Sequence, residues 1–138
     1  MLSSISIIIP VFNCEKHIND SVDSVLNQIT NNDEIIIIDD GSNDNTIQFL
    51  SPYLKNEKIR ILHQSNQGPG VARNTGIRNA TKAYLSFLDA DDILLPNSLK
   101  IRKEFLDRNQ DVSMVFSDYH LKCKNGQFLN HRLLKGGF

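Results

Sequence analysis

Two isoleucine-rich runs, SIIIPV at 6–11 and EIIIID at 34–39, restrict the possible folds more than any other feature of this chain. A strand with one wet face alternates apolar and polar residues, and neither run alternates. Unbroken β-branched runs of this length suit strands covered on both faces, as in a parallel sheet flanked by helices. The first run is expected to stop at Pro10, and the second to break into the turn-rich DGSNDN. Three more strands are expected: IRILHQ at 59–64, AYLSFL at 83–88 and VSMVFS at 112–117.

Helical spacing fills the intervals. CEKHINDSVDSVLNQI sets Ile18, Val22, Val25, Leu26 and Ile29 on one face. A short helix should end before Pro52, with Ser42 or Asp44 as its cap. GPGVARNTGIRNA predicts a glycine loop opening a helix, with Pro69 in the first turn. From Pro96, NSLKIRKEFLDRN predicts another, with Leu99 and Leu106 on its apolar face. Asn125-Gly126 is a two-residue hairpin signal in the tail. Strand and helix in alternation imply βαβ units, hence an α/β fold: a mostly parallel sheet with helices on both faces.

With 138 residues the chain has the length of one domain, 1–138, and can bury a substantial core. A net charge of -1 and no basic, aromatic-rich stretch argue against a nucleic-acid partner. Cys14 and Cys123 lie far apart with no metal-ligand spacing, as reduced thiols in a reducing compartment would. The apolar stretch Ile5–Ile9 is too short for a signal peptide and has no basic flank. No stretch approaches the ~20 apolar residues of a transmembrane segment. A cytoplasmic location is expected.

In an open sheet of this kind ligands bind beyond the carboxyl ends of the strands. Four polar segments fall there: Pro10–Asn13, Asp39–Ser42, Asn66–Gly70 and Asp89–Asp92. In an extended stretch Asp89 and Asp91 point the same way, with α-carbons about 7 Å apart. Clustered carboxylates suit Mg²⁺ or Mn²⁺, which keep several waters and share a ligand's phosphates. A carboxylate and a diphosphate repel each other: unit charges about 4 Å apart cost about 4 kcal/mol at an effective dielectric near 20. A divalent ion between them reverses that sign. The alternative is a solvated loop whose acids cap the next helix, a role that suits Asp92. Asp39 and Asp40 suit either acceptance of a base N–H or a plain turn with a helix cap. Arg73, near the start of its helix, suits a phosphate or a surface position.

Other chemistries find little support. Gly68 and Gly70 stand in G-x-G spacing, but the third glycine of a dinucleotide fingerprint would fall at Arg73, and Gly76 comes too late. No P-loop is present, Ser42 and Ser117 lack a nucleophile setting, and the four histidines show no ligand spacing. Asp118 stands at the end of the expected fifth strand as a possible base.

Together SIIIPVFNCEKHINDSVDSVLNQ, EIIIIDDGSNDNT, NQGPGVARNTGI and YLSFLDADDILLPNSL resemble the family 2 glycosyltransferases of the GT-A fold, from about Ser4 to Leu106. The resemblance implies transfer of a sugar from a nucleotide-sugar donor, a UDP-sugar first and dTDP or GDP sugars after it, to an acceptor hydroxyl. Inversion at the anomeric carbon, Mg²⁺ or Mn²⁺, and a role in polysaccharide or glycoconjugate synthesis come with it. It places Pro10, Phe12 and Glu15 at the nucleoside, and Asp40 on the base with Asp39 beside it. Arg73 falls in the block that closes over the nucleotide. Asp89-Ala90-Asp91 becomes the D-x-D motif, with Asp89 toward the ribose, Asp91 on the metal, and Asp92 a cap or supporting acid.

The resemblance also implies that residues 4–118 are the donor-binding half, with 119–138 a hairpin and tail incomplete at the C-terminus. No Asp or Glu follows Asp118, so the general base of the family is not visible. Leu121, Phe128, Leu133 and Leu134 are then apolar residues awaiting cover. A saccharide or lipid-linked acceptor is implied, the latter consistent with a peripheral place at the inner membrane face. Two other readings stand beside this one: a non-catalytic nucleotide-sugar-binding module, and a metal-dependent phosphotransfer or phosphohydrolase domain with strand-end aspartates.

Overall fold

The computed structural model describes residues 2–123 and 126–131. Its elements are β1 (Ile5–Val11), α1 (Ile18–Leu26), β2 (Glu34–Asp39), α2 (Thr46–Leu50) with a following 3₁₀ turn (Ser51–Lys55), β3 (Ile59–His63), α3 (Pro69–Asn79), β4 (Tyr84–Phe87), α4 (Ser98–Arg108), β5 (Tyr119–Lys122) and β6 (Phe128–His131). The first four strands form one parallel sheet in the order β3-β2-β1-β4, and β5 and β6 pair antiparallel as a separate hairpin.

The two isoleucine runs became the two central strands, and every residue of both is buried. Alternate side chains serve opposite faces. Ile7, Ile9, Ile35 and Ile37 pack with Ile18, Val22 and Val25 of α1, Leu50 of α2 and Leu99 of α4. Ile36 and Ile38 pack instead against Ala72 of α3. Gly76 permits this second contact, because a Cβ there would lie 2.4 Å from Cγ2 of Ile8. The third glycine thus brings helix and sheet together.

The strand β1 does not stop at Pro10 but runs through it to Val11, with Pro10 opposite Ile38 of β2. A proline inside a central strand is unusual because it removes a ladder donor. Here that donor would face β4. Leu88 N donates to Ile8 O at 3.1 Å, and the next rung of this parallel ladder would need the N–H of residue 10. The gap falls where β4 has already ended.

Several expected boundaries moved. The helix α1 ends at Leu26, and Ile29 packs against the core from beyond it. The helix α4 starts at Ser98 rather than Pro96 and is preceded by Asn97 in the left-handed region (φ 65°). The expected fifth strand at 112–117 is not a strand. Met114 is 74% and Phe116 54% exposed, and the segment pairs with no edge among the described residues; Arg102 Nη2 of α4 holds it through Ser117 Oγ at 2.7 Å. β-branched residues alone make no strand without a neighbour to pair with. The tail hairpin forms, with Cys123 N donating to Gln127 O next to the connection. Asn125 of its expected turn lies outside the described residues, as do Leu133, Leu134 and the side chain of Phe128. Leu121 is 45% exposed.

Beneath the sheet, Lys103 of α4 is 4% exposed and reaches Asp33, 3% exposed, at 2.8 Å. Asp33 also accepts from Ile5 N, Thr30 N and Thr30 Oγ1. Burial alone would raise its pKa, but Lys103 and these donors hold it below the ordinary range. No helix among the described residues is long and apolar enough to cross a membrane.

Candidate functional site

The four polar segments lie at the carboxyl end of the sheet; hydrogen bonds join the first three in turn, and Arg73 of α3 reaches the fourth. Between the loops after β1 and β2, Asn13 N donates to Ser42 Oγ (3.0 Å), Asn43 N to Asn13 Oδ1 (2.8 Å) and Cys14 N to Thr46 Oγ1 (2.8 Å). Glu15 Oε2 accepts from both Asn45 N and Asn45 Nδ2. Glu15 is therefore occupied in holding the start of α2. Neither Ser42 nor Asn45 caps α2 by its side chain; Asp44 Oδ1 takes the N–H of Thr46 at 2.9 Å. Phe12 stands 48% exposed at the end of β1.

Asp39 and Asp40 leave the end of β2 in opposite directions, and both are nearly buried. Asp39 accepts from Ser42 N at 3.1 Å and meets His63 Nδ1 of β3 at 3.2 Å. Asp40 accepts from Gln64 Nε2 (2.7 Å), Gln67 N (3.0 Å) and Gly68 N (2.8 Å). Burial alone would push the Asp40 pKa up; the donors Gln67, Gln64 and Gly68 more than offset it and hold the carboxyl below its usual range. Asp40 thus fastens the loop that opens α3. Gly41, at φ +77°, is where that approach needs glycine, since a Cβ would lie 3.0 Å from Asn66 N.

The acidic segment follows an in-and-out pattern. Leu88, Ala90 and Leu94 are buried in the larger core, while Asp89 and Asp91 are exposed. The stretch is not extended as expected: Asp92 N donates to Asp89 O at 3.0 Å, closing a turn over Ala90 and Asp91. Nor does Asp92 cap α4, which begins well beyond it. Partial burial, then Asp91 and Asp89, raise the Asp92 pKa. Arg73 Nη2 of α3 lies 2.5 Å from Asp89 Oδ1. The Cys14 thiol is pushed up by burial and then by the charges of Asp91 and Asp44.

The rim therefore brings together Phe12, Glu15, Asp39, Asp40, Arg73, Asp89 and Asp91, while Pro10 lies just below it within β1. Among the described residues no three His, Cys, Asp or Glu side chains converge on one metal position. The donor set fits a hard cation only in its usual half-protein form: one or two exposed carboxylates, with phosphate oxygens and water completing the shell.

Sequence reasoning missed His63 and Gln64, and also Ser21 and Ser24 of α1 and Gln28 just beyond it, which touch the stretch from Asp89 to Leu99. Gln64 and His63 had a readable signal, being the last polar residues of an expected strand. The α1 residues had none beyond polarity on a helix.

The profile described as "Glycosyl transferase family 2" matches residues 6–137. A glycosyltransferase of Rickettsia felis is 41% identical over 110 residues, covering 80% of this chain and 18% of that protein. Among solved structures, TarS 1–349 of S. aureus in complex with UDP-GlcNAc superposes with a TM-score of 0.72 at 29% identity, over 78% of this chain and 32% of its own. The mannosyltransferase PcManGT of Pyrobaculum calidifontis, in complex with GDP-Man and Mn²⁺, gives 0.71 at 20% identity, over 77% of this chain and 33% of its own, a likeness of fold. The chain spans well under half the length of these relatives.

Proposed function

The chain belongs to glycosyl transferase family 2, with the GT-A fold, and on that premise we propose that it binds a nucleotide-diphosphate sugar on this rim for transfer to an acceptor hydroxyl with inversion. A UDP-sugar is the first choice, by likeness to TarS, which binds UDP-GlcNAc. The product would be a polysaccharide or glycoconjugate, from a saccharide or lipid-linked acceptor. The carrying observation is the paired exposure of Asp89 and Asp91 around buried Ala90, with Arg73 on Asp89.

Asp91 would hold Mg²⁺ or Mn²⁺, with Asp89 beside it and nearer the ribose. The ion, when bound, neutralises the diphosphate and stabilises it as a leaving group. Arg73 leaves Asp89 to meet the arriving phosphate, a charge-assisted contact at the first turns of a helix. Phe12 offers an exposed ring to the nucleoside, above Pro10. Asp40 keeps the loop 64–68 in place and offers a lone pair to a base N–H, with Asp39 fixing His63 alongside. Glu15 holds the β1 and β2 loops together beneath the nucleoside.

A second reading has its own support in the share of each relative that this chain spans. In it the chain is a donor-binding half that needs further sequence or a partner to activate the acceptor.

Calorimetric titration of UDP with and without Mn²⁺ tests the donor site. Mn²⁺ should tighten UDP binding, and Asp91→Ala should abolish the difference. Equal affinities in both conditions for the unmodified chain would sink the bridging-ion reading. Release of UDP from UDP-sugars separates the two readings: turnover by this chain alone overturns the second.

A further inference from the structure

One edge of α1, continued past its end at Leu26, carries three polar side chains at helical spacing, and each hydrogen-bonds to the stretch from Asp89 to Leu99 that begins with the acids. Ser21 Oγ donates to Asp89 O at 3.3 Å. Ser24 Oγ accepts from Leu94 N at 3.0 Å. Gln28, just past the helix end, donates through Nε2 to Leu94 O at 3.2 Å and accepts through Oε1 from Leu99 N at 3.3 Å and Ser98 Oγ at 3.4 Å. All but the last of these contacts go to the backbone of 89–99, and none goes to an aspartate side chain. The helix thus fixes where the segment runs without engaging its carboxylates, of which Asp89 meets Arg73 instead.

The rest of the edge is tied to itself. Ser24 Oγ donates to Ser21 O at 2.7 Å, and Gln28 Nε2 also reaches Ser24 O at 3.0 Å. These bonds orient the hydroxyl and the amide before the loop meets them. The opposite face of α1, with Ile18, Val22 and Val25, is sunk in the core. The segment is anchored on its apolar side as well, by Leu88, Ala90, Leu94 and Leu99. Between these plugs the backbone N–H and C=O groups near Leu94 lie under cover and need partners. Ser24 and Gln28 provide them.

The geometry points to Ser24 and Gln28 as positioning residues for the acidic loop, setting the place of Asp91 relative to the diphosphate without touching either. The inference rests on the donor-site reading above. Partners behind metal-binding side chains commonly change metal affinity about 10- to 100-fold when removed. Among the described residues, the base side of the rim, built on the ends of β2 and β3, makes no bond to this edge of α1.

The test is UDP binding to the chain with and without Mn²⁺, for Ser24→Ala, Ser24→Thr, Gln28→Met and Gln28→Glu. Ser24→Ala and Gln28→Met should cut the Mn²⁺-dependent tightening about tenfold or more, with metal-free UDP affinity little changed. Ser24→Thr keeps the hydroxyl and should restore the tightening. Gln28→Glu keeps the acceptor but loses the donor, and should fall between. A fold-maintenance role alone predicts a different pattern, in which both affinities fall together with the melting temperature, and that result overturns the inference. So does full Mn²⁺-dependent tightening in Ser24→Ala and Gln28→Met, which would leave the donor-site reading standing. Absence of tightening in the unmodified chain overturns that reading and this inference with it.

Discussion

Arg73 and Asp89 form an ion pair at 2.5 Å, joining the helix behind the glycine loop to the first acid of the rim. Their side chains are 35% and 52% exposed, so the pair itself contributes little stability, about 0.2–1 kcal/mol for contacts of this kind. Under the proposed donor-site reading, its importance lies in what each partner could do once a diphosphate arrives. Arg73 has an acid to leave and Asp89 a charge to share.

Replacing Arg73 with Gln should therefore barely move the thermal midpoint. It should weaken UDP in the presence of Mn²⁺ by about tenfold or more, as loss of a charge-assisted bond worth about 1.5–3 kcal/mol would. Mn²⁺ without nucleotide should bind more tightly, because Asp89 no longer has a cation beside it. Calorimetry with metal alone and with UDP reads both changes. Unaltered UDP affinity would remove Arg73 from the phosphate.

Ala90 is 6% exposed between two exposed aspartates. A leucine there must find room in a packed core, at a cost of about 1–3 kcal/mol. The turn over Ala90 and Asp91 would shift outward with it. Ala90→Leu should lose Mn²⁺-dependent tightening of UDP although both acids remain, whereas Ala90→Ser should keep most of it. Parallel titrations on the two variants decide the point.

The buried pair of Lys103 and Asp33 gives a stability prediction. Lys103→Met leaves a buried carboxylate without its cation and should cost about 3–5 kcal/mol. Adding Asp33→Asn should recover most of that, since Asn keeps an acceptor for Ile5 N. Asp33 titrates below its unfolded value of about 3.9. Its contribution is therefore complete above that value and lost as pH falls through the lower folded one. Urea midpoints between pH 2 and 7 should fall more steeply on the acid side for the parent than for the double variant.

Gly76→Ala should destabilise the chain by about 1–3 kcal/mol through the clash with Ile8. Ile8→Ala costs stability alone, but the two losses should be less than additive, because the second removes the obstacle to the first. A double-mutant cycle by chemical denaturation measures that coupling. Simple additivity would show that α3 moves away from the sheet instead.

Much of this was legible in residue patterns. Ile35–Ile38 announced a strand covered on both faces, and the alternation around it gave the parallel sheet and the rim. The acids were visible because Asp89, Asp91 and Asp92 crowd together straight after an apolar run, where they repel one another. What escaped depended on partners distant in sequence. Val112–Ser117 has strand composition, yet a strand needs an edge, and no sequence window shows whether one is available. Nothing in the residues around Lys103 points to Asp33, which comes from the loop before β2 and meets it in the interior. Ser24 and Gln28 look like ordinary polar helix residues, because their partners are backbone atoms of a loop on another element. Asp92 and Ser42 were plausible caps by type, but the helices began elsewhere.

Pro10 has a reach beyond its own strand. The missing rung would run from residue 10 to the carbonyl of Leu88, the last residue before Asp89. An ordinary residue at that position would supply the N–H and let β4 zip one step further, drawing Asp89 into the pleat. Its carboxylate would then follow the sheet's alternation instead of the turn that now lifts it toward Arg73. With no N–H at residue 10, β1 offers β4 no rung beyond Leu88, and the sheet's end and the release of the acids coincide.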